Sequence, residues 1–188
     1  MKFEKLLADP PWKYNSYKTG GNMISGAMQK YNTMEACDIL NLPVKKHVAK
    51  NAVLFFWVTT PMMVALEPSP SDIMRAWGFK PKTAIYWIKD DIYQSGRLGL
   101  GNWFRGNVEI CMFATRGKVK PLRSNLKNYF FEKPQQHSKK PEGIFAYINK
   151  FDMEPSLELF CRGTPKDGWY GWGNQCTLNH YDIFGEGI

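Results

Sequence analysis

The chain has 188 residues, of which 44% are hydrophobic and 22% are charged, and its formal net charge is +8. These values are typical of a globular protein with one domain, residues 1–188, and they exclude a low-complexity chain. The basic balance favours a polyanionic partner, either DNA or RNA. A basic surface that serves only solubility is the alternative.

No apolar stretch is long enough to span a membrane, and the run before Asp9 is too short for the core of a signal peptide. We therefore expect a cytoplasmic protein. The four cysteines include no Cys-x-x-Cys pair, and no histidine lies close enough in sequence to complete a zinc site. We interpret them as free thiols and expect no bound metal.

Six short apolar runs predict β-strands in chain order. They lie at residues 3–8, 52–59, 83–88, 108–114, 129–132 and 157–161. Several are apolar throughout, which predicts strands that are covered on both faces.

Helical patterns lie between the predicted strands. Thr33 resembles an N-cap before residues 34–40, residues 71–77 end at Gly78, and residues 140–151 carry apolar side chains at helical spacing. The alternation predicts an α/β fold, a mainly parallel sheet with helices on both faces. Ligands in such folds bind beyond the carboxyl ends of the strands. That rule predicts one rim formed by Asp9 to Trp12, the segment after Cys161, and the loops that follow Ile88 and Ala114.

Three connections are long or basic, at residues 13–32, 89–107 and 115–128. The first two combine Gly, basic and aromatic residues, as in loops that close over a nucleotide base and its phosphate. The third has no acidic residue. Its basic residues are Arg116, Lys118, Lys120, Arg123 and Lys127. A solvated loop is the alternative for each segment taken alone.

The sequence Asp9-Pro10-Pro11-Trp12 ends the first predicted strand. The prolines offer carbonyl acceptors and no amide donors, and their fixed φ holds those carbonyls rigidly. An acceptor-only corner suits an amino group on an aromatic ring, and Trp12 offers a face on which such a ring stacks. The amine becomes nucleophilic when acceptors hold its hydrogens. A nearby carboxylate then stabilises the positive charge that develops as a methyl group arrives from a sulfonium donor.

This tetrapeptide resembles the catalytic motif of the adenine N(6)-methyltransferases typified by the catalytic subunit of the eukaryotic messenger-RNA adenosine methyltransferase, a family with bacterial and phage members. Further blocks are similar, in the family's order. They are LFFWVT at 54–59, YWIK at 86–89, GNWFRGNVEICMFATRG at 101–117, SKKPEGIFAYI at 138–148, LELFCR at 157–162 and GWGNQ at 171–175. The resemblance implies a Rossmann-like fold that binds S-adenosyl-L-methionine, with the catalytic motif before the cofactor motif.

By this resemblance the catalytic residues are Asp9, Pro10, Pro11 and Trp12. The residues implied at the cofactor are Asp9, Lys140, Glu158, Phe160, Arg162, Asn174 and Gln175. Lys140 is expected to contact the methionine carboxylate, and Asn174 and Gln175 to border the adenosine. Glu158 is expected either to hold the ribose hydroxyls or to face outward. Cys161 and Gly163 depart from the glycine-rich loop of many methyltransferases.

The residues expected to bind the nucleic-acid substrate are Tyr31, Trp87, Lys89, Trp103, Arg105, Glu109, Arg116 and Lys118. Tyr86 and Trp87 alternate, so one of them is expected to pack in the core, as is Trp57. A buried, unpaired Glu109 would be costly, so we expect it to meet a basic partner such as Lys89 or to face the cleft.

We therefore predict methyl transfer from S-adenosylmethionine to the 6-amino group of adenine in DNA. The same reaction on RNA is one alternative. A catalytically silent nucleic-acid-binding subunit is another, which the intact motif with Lys140 and Asn174 disfavours. The small surface for reading bases favours a short recognition sequence or help from a second subunit, including a homodimer. The expected location is the cytoplasm of a bacterial or phage-infected cell.

Overall fold

The structure is a computed structural model that describes residues 1–13, 33–89, 103–104, 106–122, 124–135 and 139–185. Tyr31, Arg105 and Arg123, together with most of the connections 13–32 and 89–107, lie outside the described residues.

All six predicted strands are present, and three further strands follow the last of them. The strands are β1 (Phe3–Ala8), β2 (Val48–Thr59), β3 (Lys80–Lys89), β4 (Val108–Arg116), β5 (Tyr129–Glu132), β6 (Ser156–Leu159), β7 (Arg162–Gly163), β8 (Trp169–Trp172) and β9 (Gln175–Cys176). The helices are α1 (Ala36–Asn41), α2 (Thr60–Ala65), α3 (Pro70–Ala76) and α4 (Phe145–Ile148), with 3₁₀ turns at Pro43–His47 and Glu142–Ile144.

Seven strands form one sheet in the order β5-β3-β4-β2-β1-β6-β8. Strand β4 runs antiparallel to its neighbours β2 and β3, and the other pairs are parallel. This arrangement confirms the predicted mainly parallel α/β fold and is consistent with a Rossmann-like methyltransferase.

Two apolar clusters cover the two faces of the sheet. One cluster lies under α1 and α3, and its members include Phe56, Ile39 and Trp77. The other lies under α4 and contains Phe55 and Trp57. Strand β2 supplies both clusters because its apolar side chains point alternately to opposite faces. Trp57 is 1% exposed, which confirms its predicted place in the core.

Some predicted boundaries are corrected by the structure. Helix α1 begins at Ala36 after Glu35, not after Thr33. Helix α3 begins earlier than predicted, because the side chain of Ser69 accepts from the Asp72 amide and Asp72 in turn accepts from the Ser69 amide. The strand predicted to reach Cys161 ends at Leu159.

The prediction that the loop after Ala114 lies at the same rim as Asp9 is wrong, because β4 runs antiparallel to its neighbours. Arg116, at the carboxyl end of β4, pairs with Ala52 near the amino end of β2. The loop after Ala114 therefore lies at the opposite edge of the sheet from Asp9. Arg116 donates to the carbonyls of Lys45 and Val48 there, so it lies away from the cleft.

Lys118 follows Arg116 to the same opposite edge. Its backbone N–H donates to Asn51 Oδ1 at 2.8 Å. Lys118 therefore also lies away from the cleft. Among the described residues, no helix is both long and apolar enough to cross a membrane.

Candidate active site

Asp9 lies where β1 ends, in the middle of the sheet. Its N–H donates to the Leu159 carbonyl at 3.5 Å, which joins the ends of β1 and β6. The Trp12 N–H donates to the Pro10 carbonyl at 2.9 Å, and the Met34 N–H donates to the Pro11 carbonyl at 2.8 Å. Each proline carbonyl thus has one partner already, and one lone pair on each remains for a further donor.

The Trp12 side chain packs in the core and anchors this turn. The side chain is 5% exposed, its Nε1–H donates to the Trp57 carbonyl at 3.4 Å, and its ring packs edge-on against Phe56. The prediction that the Trp12 ring offers a face for stacking is therefore wrong. Because the ring is held in the core, it fixes the position of the turn that carries Asp9.

A line of alternating charges runs from the end of β3 to the start of β7. Lys89 Nζ lies 2.6 Å from Glu109 Oε1, and Glu109 Oε2 lies 3.1 Å from Lys140 Nζ. Lys140 Nζ also lies 3.0 Å from Asp9 Oδ1, and Arg162 lies 3.3 Å from Asp9 Oδ2. The expectation that Glu109 meets Lys89 is confirmed. Asp9 is held between two cations.

Burial and charge act in opposite directions on the centre of this line. Burial by itself lowers the pKa of Lys140, but the carboxylates of Asp9 and Glu109 outweigh it and raise that pKa. Burial likewise raises the pKa of Glu109, but Lys140 and Lys89 outweigh it and lower that pKa. Each group keeps its charge because of its neighbours.

Two adjoining clefts open beside Asp9. The larger has a volume of about 530 Å³ and the smaller about 280 Å³. Together they are lined by all seven residues implied at the cofactor: Asp9, Lys140, Glu158, Phe160, Arg162, Asn174 and Gln175. Residues from four separate parts of the chain therefore meet at one place.

Glu158 and Trp57 line the larger cleft, and each has a polar group without a hydrogen-bond partner among the described residues. Burial, then the charges of Asp9 and Glu142, raises the pKa of the Glu158 carboxyl to about 7. The buried Trp57 Nε1–H likewise has no acceptor in the described part of the chain. Such atoms are costly unless a ligand or water meets them.

The turn after β6 takes the place of the glycine-rich loop that many methyltransferases have. Phe160 adopts a φ of 63°, so the backbone reverses there. A Cβ at Gly173 would lie 2.5 Å from the Cys161 carbonyl oxygen. The turn therefore packs backbone against backbone and leaves Phe160 between the two clefts.

The structure places the residues expected to bind the substrate in different surroundings. Lys89 and Glu109 belong to the charged line. Trp87 is 2% exposed and its Nε1–H donates to the Glu132 carbonyl at 2.8 Å, so it is the core member of the Tyr86–Trp87 pair. Trp103 is 92% exposed.

Sequence reasoning missed the role of Glu132, the last residue of β5. Its carboxylate accepts from the N–H groups of Glu142 and Gly143, at 3.0 and 2.7 Å. These bonds hold the segment that follows Lys140. An acid at the end of a predicted strand was the available signal.

The fold and this site define a methyltransferase of the Rossmann-like class. The chain belongs to the MT-A70 family, which its residues 3–175 match. Members of this family use S-adenosylmethionine and methylate the N(6) position of adenine, so the family, the fold and the cofactor predicted from the motifs are confirmed.

Relatives from bacteria, plants and animals are similar to the chain. It is 27% identical to the Type II methyltransferase M.MunI of Mycoplasma sp, over 99% of the chain and 83% of that protein. It is 26% identical to a putative N(6)-adenosine-methyltransferase MT-A70-like of Medicago truncatula, over 100% of the chain and 28% of that protein. It is 25% identical to the human N(6)-adenosine-methyltransferase catalytic subunit METTL3, over 95% of the chain and 29% of that protein. The chain thus spans less than a third of the length of these two eukaryotic relatives.

The cleft residues fit S-adenosylmethionine by their chemistry. That molecule carries a carboxylate, two ribose hydroxyls and a planar base. Lys140 is a cation for the carboxylate, and the unpartnered Glu158 is an acceptor for hydroxyl groups. Phe160 and Trp57 supply apolar surface, and about 530 Å³ is within the range of cofactor sites.

Proposed function

We propose that this chain transfers a methyl group from S-adenosylmethionine to the 6-amino nitrogen of adenine in DNA. The observation that carries the proposal is the position of Asp9. Its carboxylate lies at the junction of two clefts and is oriented by Lys140 and Arg162. One cleft suits the cofactor, and the corner at Asp9 suits an amino group.

The residues of this chain prepare the amine for attack. The bound cofactor supplies a methyl group that is activated by a positively charged sulfur. Asp9 and the free lone pair on the Pro10 carbonyl accept the two N–H groups of the target amine. This contact draws the nitrogen lone pair out of the ring and directs it toward the methyl carbon.

Asp9 then stabilises the charge that develops. As the new N–C bond forms and the S–C bond breaks, positive charge appears on the amino nitrogen, and the adjacent carboxylate lowers its energy. The nitrogen loses one proton, which Asp9 accepts and passes to water. Lys140 and Arg162 hold Asp9 in place throughout, so little reorganisation is needed.

The preference for DNA is supported by the bacterial relative. M.MunI is named a Type II methyltransferase, and the alignment covers 99% of this chain. RNA is the second candidate, because the eukaryotic relatives are named N(6)-adenosine-methyltransferases. For a DNA substrate we place the activity in the cytoplasm of a bacterial or phage-infected cell. A homodimer or a second subunit would add surface for reading bases.

Matched DNA and RNA oligonucleotides with labelled cofactor test the proposal. After digestion to nucleosides, we expect label in N(6)-methyldeoxyadenosine. Label only in N(6)-methyladenosine would overturn the DNA preference. Cofactor binding by calorimetry without label in either product would show a silent subunit.

The variant Asp9→Asn tests the proposed chemistry. It keeps the shape of the side chain and removes its charge, so we expect single-turnover methylation to slow by about 10²–10³-fold, with cofactor affinity changed by less than about tenfold. A variant that keeps more than about a tenth of the rate would remove Asp9 from the catalytic step.

A further inference from the structure

One part of the edge of the sheet opposite Asp9 carries only basic charges. It is formed by residues 44–52, 79–84, 114–122 and 124–128, which contain no Asp or Glu. We call this surface the basic strip. Its nine cationic side chains are Lys45, Lys46, Lys50, Lys80, Lys82, Arg116, Lys118, Lys120 and Lys127.

Contacts between these segments make the strip continuous. Arg116 donates to the Lys45 carbonyl, Lys118 donates to Asn51, and Lys80 pairs with Thr115 in the sheet. All nine residues except Arg116 are exposed. None forms an ion pair with a carboxylate in the part of the chain that the structure describes. Their charge is therefore available to a partner.

The active-site cleft has a different electrostatic character. Its described lining includes four acids and four bases: Asp9, Glu142, Glu158 and Asp167, with Lys139, Lys140, Arg162 and Lys166. These charges balance at close range. Among the described residues, the strip is therefore the surface that attracts a polyanion over a distance.

The strip also contains a cavity of about 450 Å³. Phe55, Phe113 and Phe151 lie in its lining, and Lys82, Lys120 and Lys127 are the charged residues there. A surface that served only solubility would not need such a concave apolar site. A concave cationic surface suits the phosphate backbone of a nucleic-acid strand.

We propose that the basic strip binds the phosphate backbone of nucleic acid outside the target base. This inference rests on nucleic acid being the substrate, and it holds for DNA or RNA. Strand β4 has 9 residues and, at about 3.4 Å per residue, its ends lie about 27 Å apart. The strip therefore contacts nucleic acid that lies far from the methylated base, either farther along the same strand or duplex or in a second segment of it. This contact increases the affinity for nucleic acid without taking part in methyl transfer.

Salt-dependent binding of a labelled 40-base-pair DNA of mixed sequence tests the proposal. The variant is Lys80→Gln with Lys118→Gln. The matched control is Lys133→Gln with Lys150→Gln, which removes the same charge from exposed positions outside the strip. We expect the strip variant to bind about tenfold more weakly at low salt and to lower the slope of log affinity against log salt by about 2. The control should change affinity by less than about threefold.

Methylation kinetics separate this proposal from the proposed function. We expect the strip variant to raise KM for the 40-base-pair DNA, to leave kcat and cofactor affinity unchanged, and to leave KM for a 10-nucleotide strand unchanged. A wild-type protein without methylation activity would contradict the proposed function alone.

Two results would overturn the role of the strip. The first is equal weakening by the strip variant and its control, which would reflect net charge only. The second is unchanged binding of the DNA. If the strip variant then lost binding of a polyglutamate peptide, the strip would be assigned to an acidic protein segment.

Discussion

Lys140 is the residue on which the charged line depends, because it contacts two carboxylates at once. It lies 3.0 Å from Asp9 and 3.1 Å from Glu109. Without it, one of the two cations that offset burial at Glu109 is lost, so the pKa of that carboxyl rises. The same ammonium is the cation that we assign to the carboxylate of the cofactor.

Lys140→Gln is therefore expected to weaken cofactor binding by at least about tenfold, since a charge-assisted contact is lost. Calorimetry measures this directly. Lys150→Gln, at an exposed position that lines neither cleft, is the matched control and should bind the cofactor normally. Equal affinities in the two variants would remove Lys140 from the cofactor site.

Glu158 gives stability a specific dependence on pH. Its pKa in the folded protein is about 7, above the ordinary value of 4.5. The folded state therefore retains a proton that the unfolded chain loses, and stability falls as pH rises from about 4.5 to about 7. Glu158→Gln removes this effect.

Chemical denaturation at pH 5 and pH 8 measures the difference. We expect the free energy of unfolding of the wild type, relative to that of Glu158→Gln, to be lower at pH 8 than at pH 5. A difference that stays constant with pH would show that Glu158 ionises normally in the folded protein.

At the scale of elements, the turn after β1 is positioned by the core beneath it. Trp12 packs against Phe56 and donates to the Trp57 carbonyl, so it joins the turn to β2. We expect Trp12→Ala to lower the free energy of unfolding by about 3 kcal/mol, because a buried ring leaves a cavity. Trp12→Phe should recover most of that loss. An unchanged free energy of unfolding in Trp12→Ala would indicate an open stacking ring instead.

The close approach of two turns supports the junction of the clefts. A Cβ at residue 173 would lie 2.5 Å from the Cys161 carbonyl oxygen, so Gly173→Ala must move the turn that carries Phe160. We expect cofactor affinity to fall by about tenfold, since small displacements at a binding site are costly. At Gly106 nothing lies within 4 Å of an added Cβ, so Gly106→Ala is the control. Normal cofactor affinity in Gly173→Ala would show that the packing of the turns does not shape the site.

At the scale of the whole molecule, local patterns predicted most of the fold and much of the site. β1 and β5 have the predicted bounds because their apolar runs end at a prolyl turn or a charged residue. The pairing of Glu109 with Lys89 followed from the cost of burying a lone charge. The meeting of Lys140, Glu158 and Asn174 followed from the order of motifs in a recognised family.

The remaining features depend on contacts that local patterns do not encode. An apolar strand has the same composition in either direction, so the antiparallel β4 and the position of Arg116 were not predictable. A tryptophan at a ligand rim has the same sequence signal whether it faces a ligand or the core, as Trp12 shows. The two-residue strands β7 and β9 are too short for a periodic signal.

The central place of β1 has a consequence for protein synthesis. β1 is the first described strand to leave the ribosome, yet it lies between β2 and β6. Asp9 and its partner Arg162 are separated by 153 positions, so the nascent chain carries Asp9 long before its basic partners exist. Domains with such distant pairings fold late and slowly. The site around Asp9 therefore assembles only once the strand that carries Glu158 has been translated and has joined the sheet.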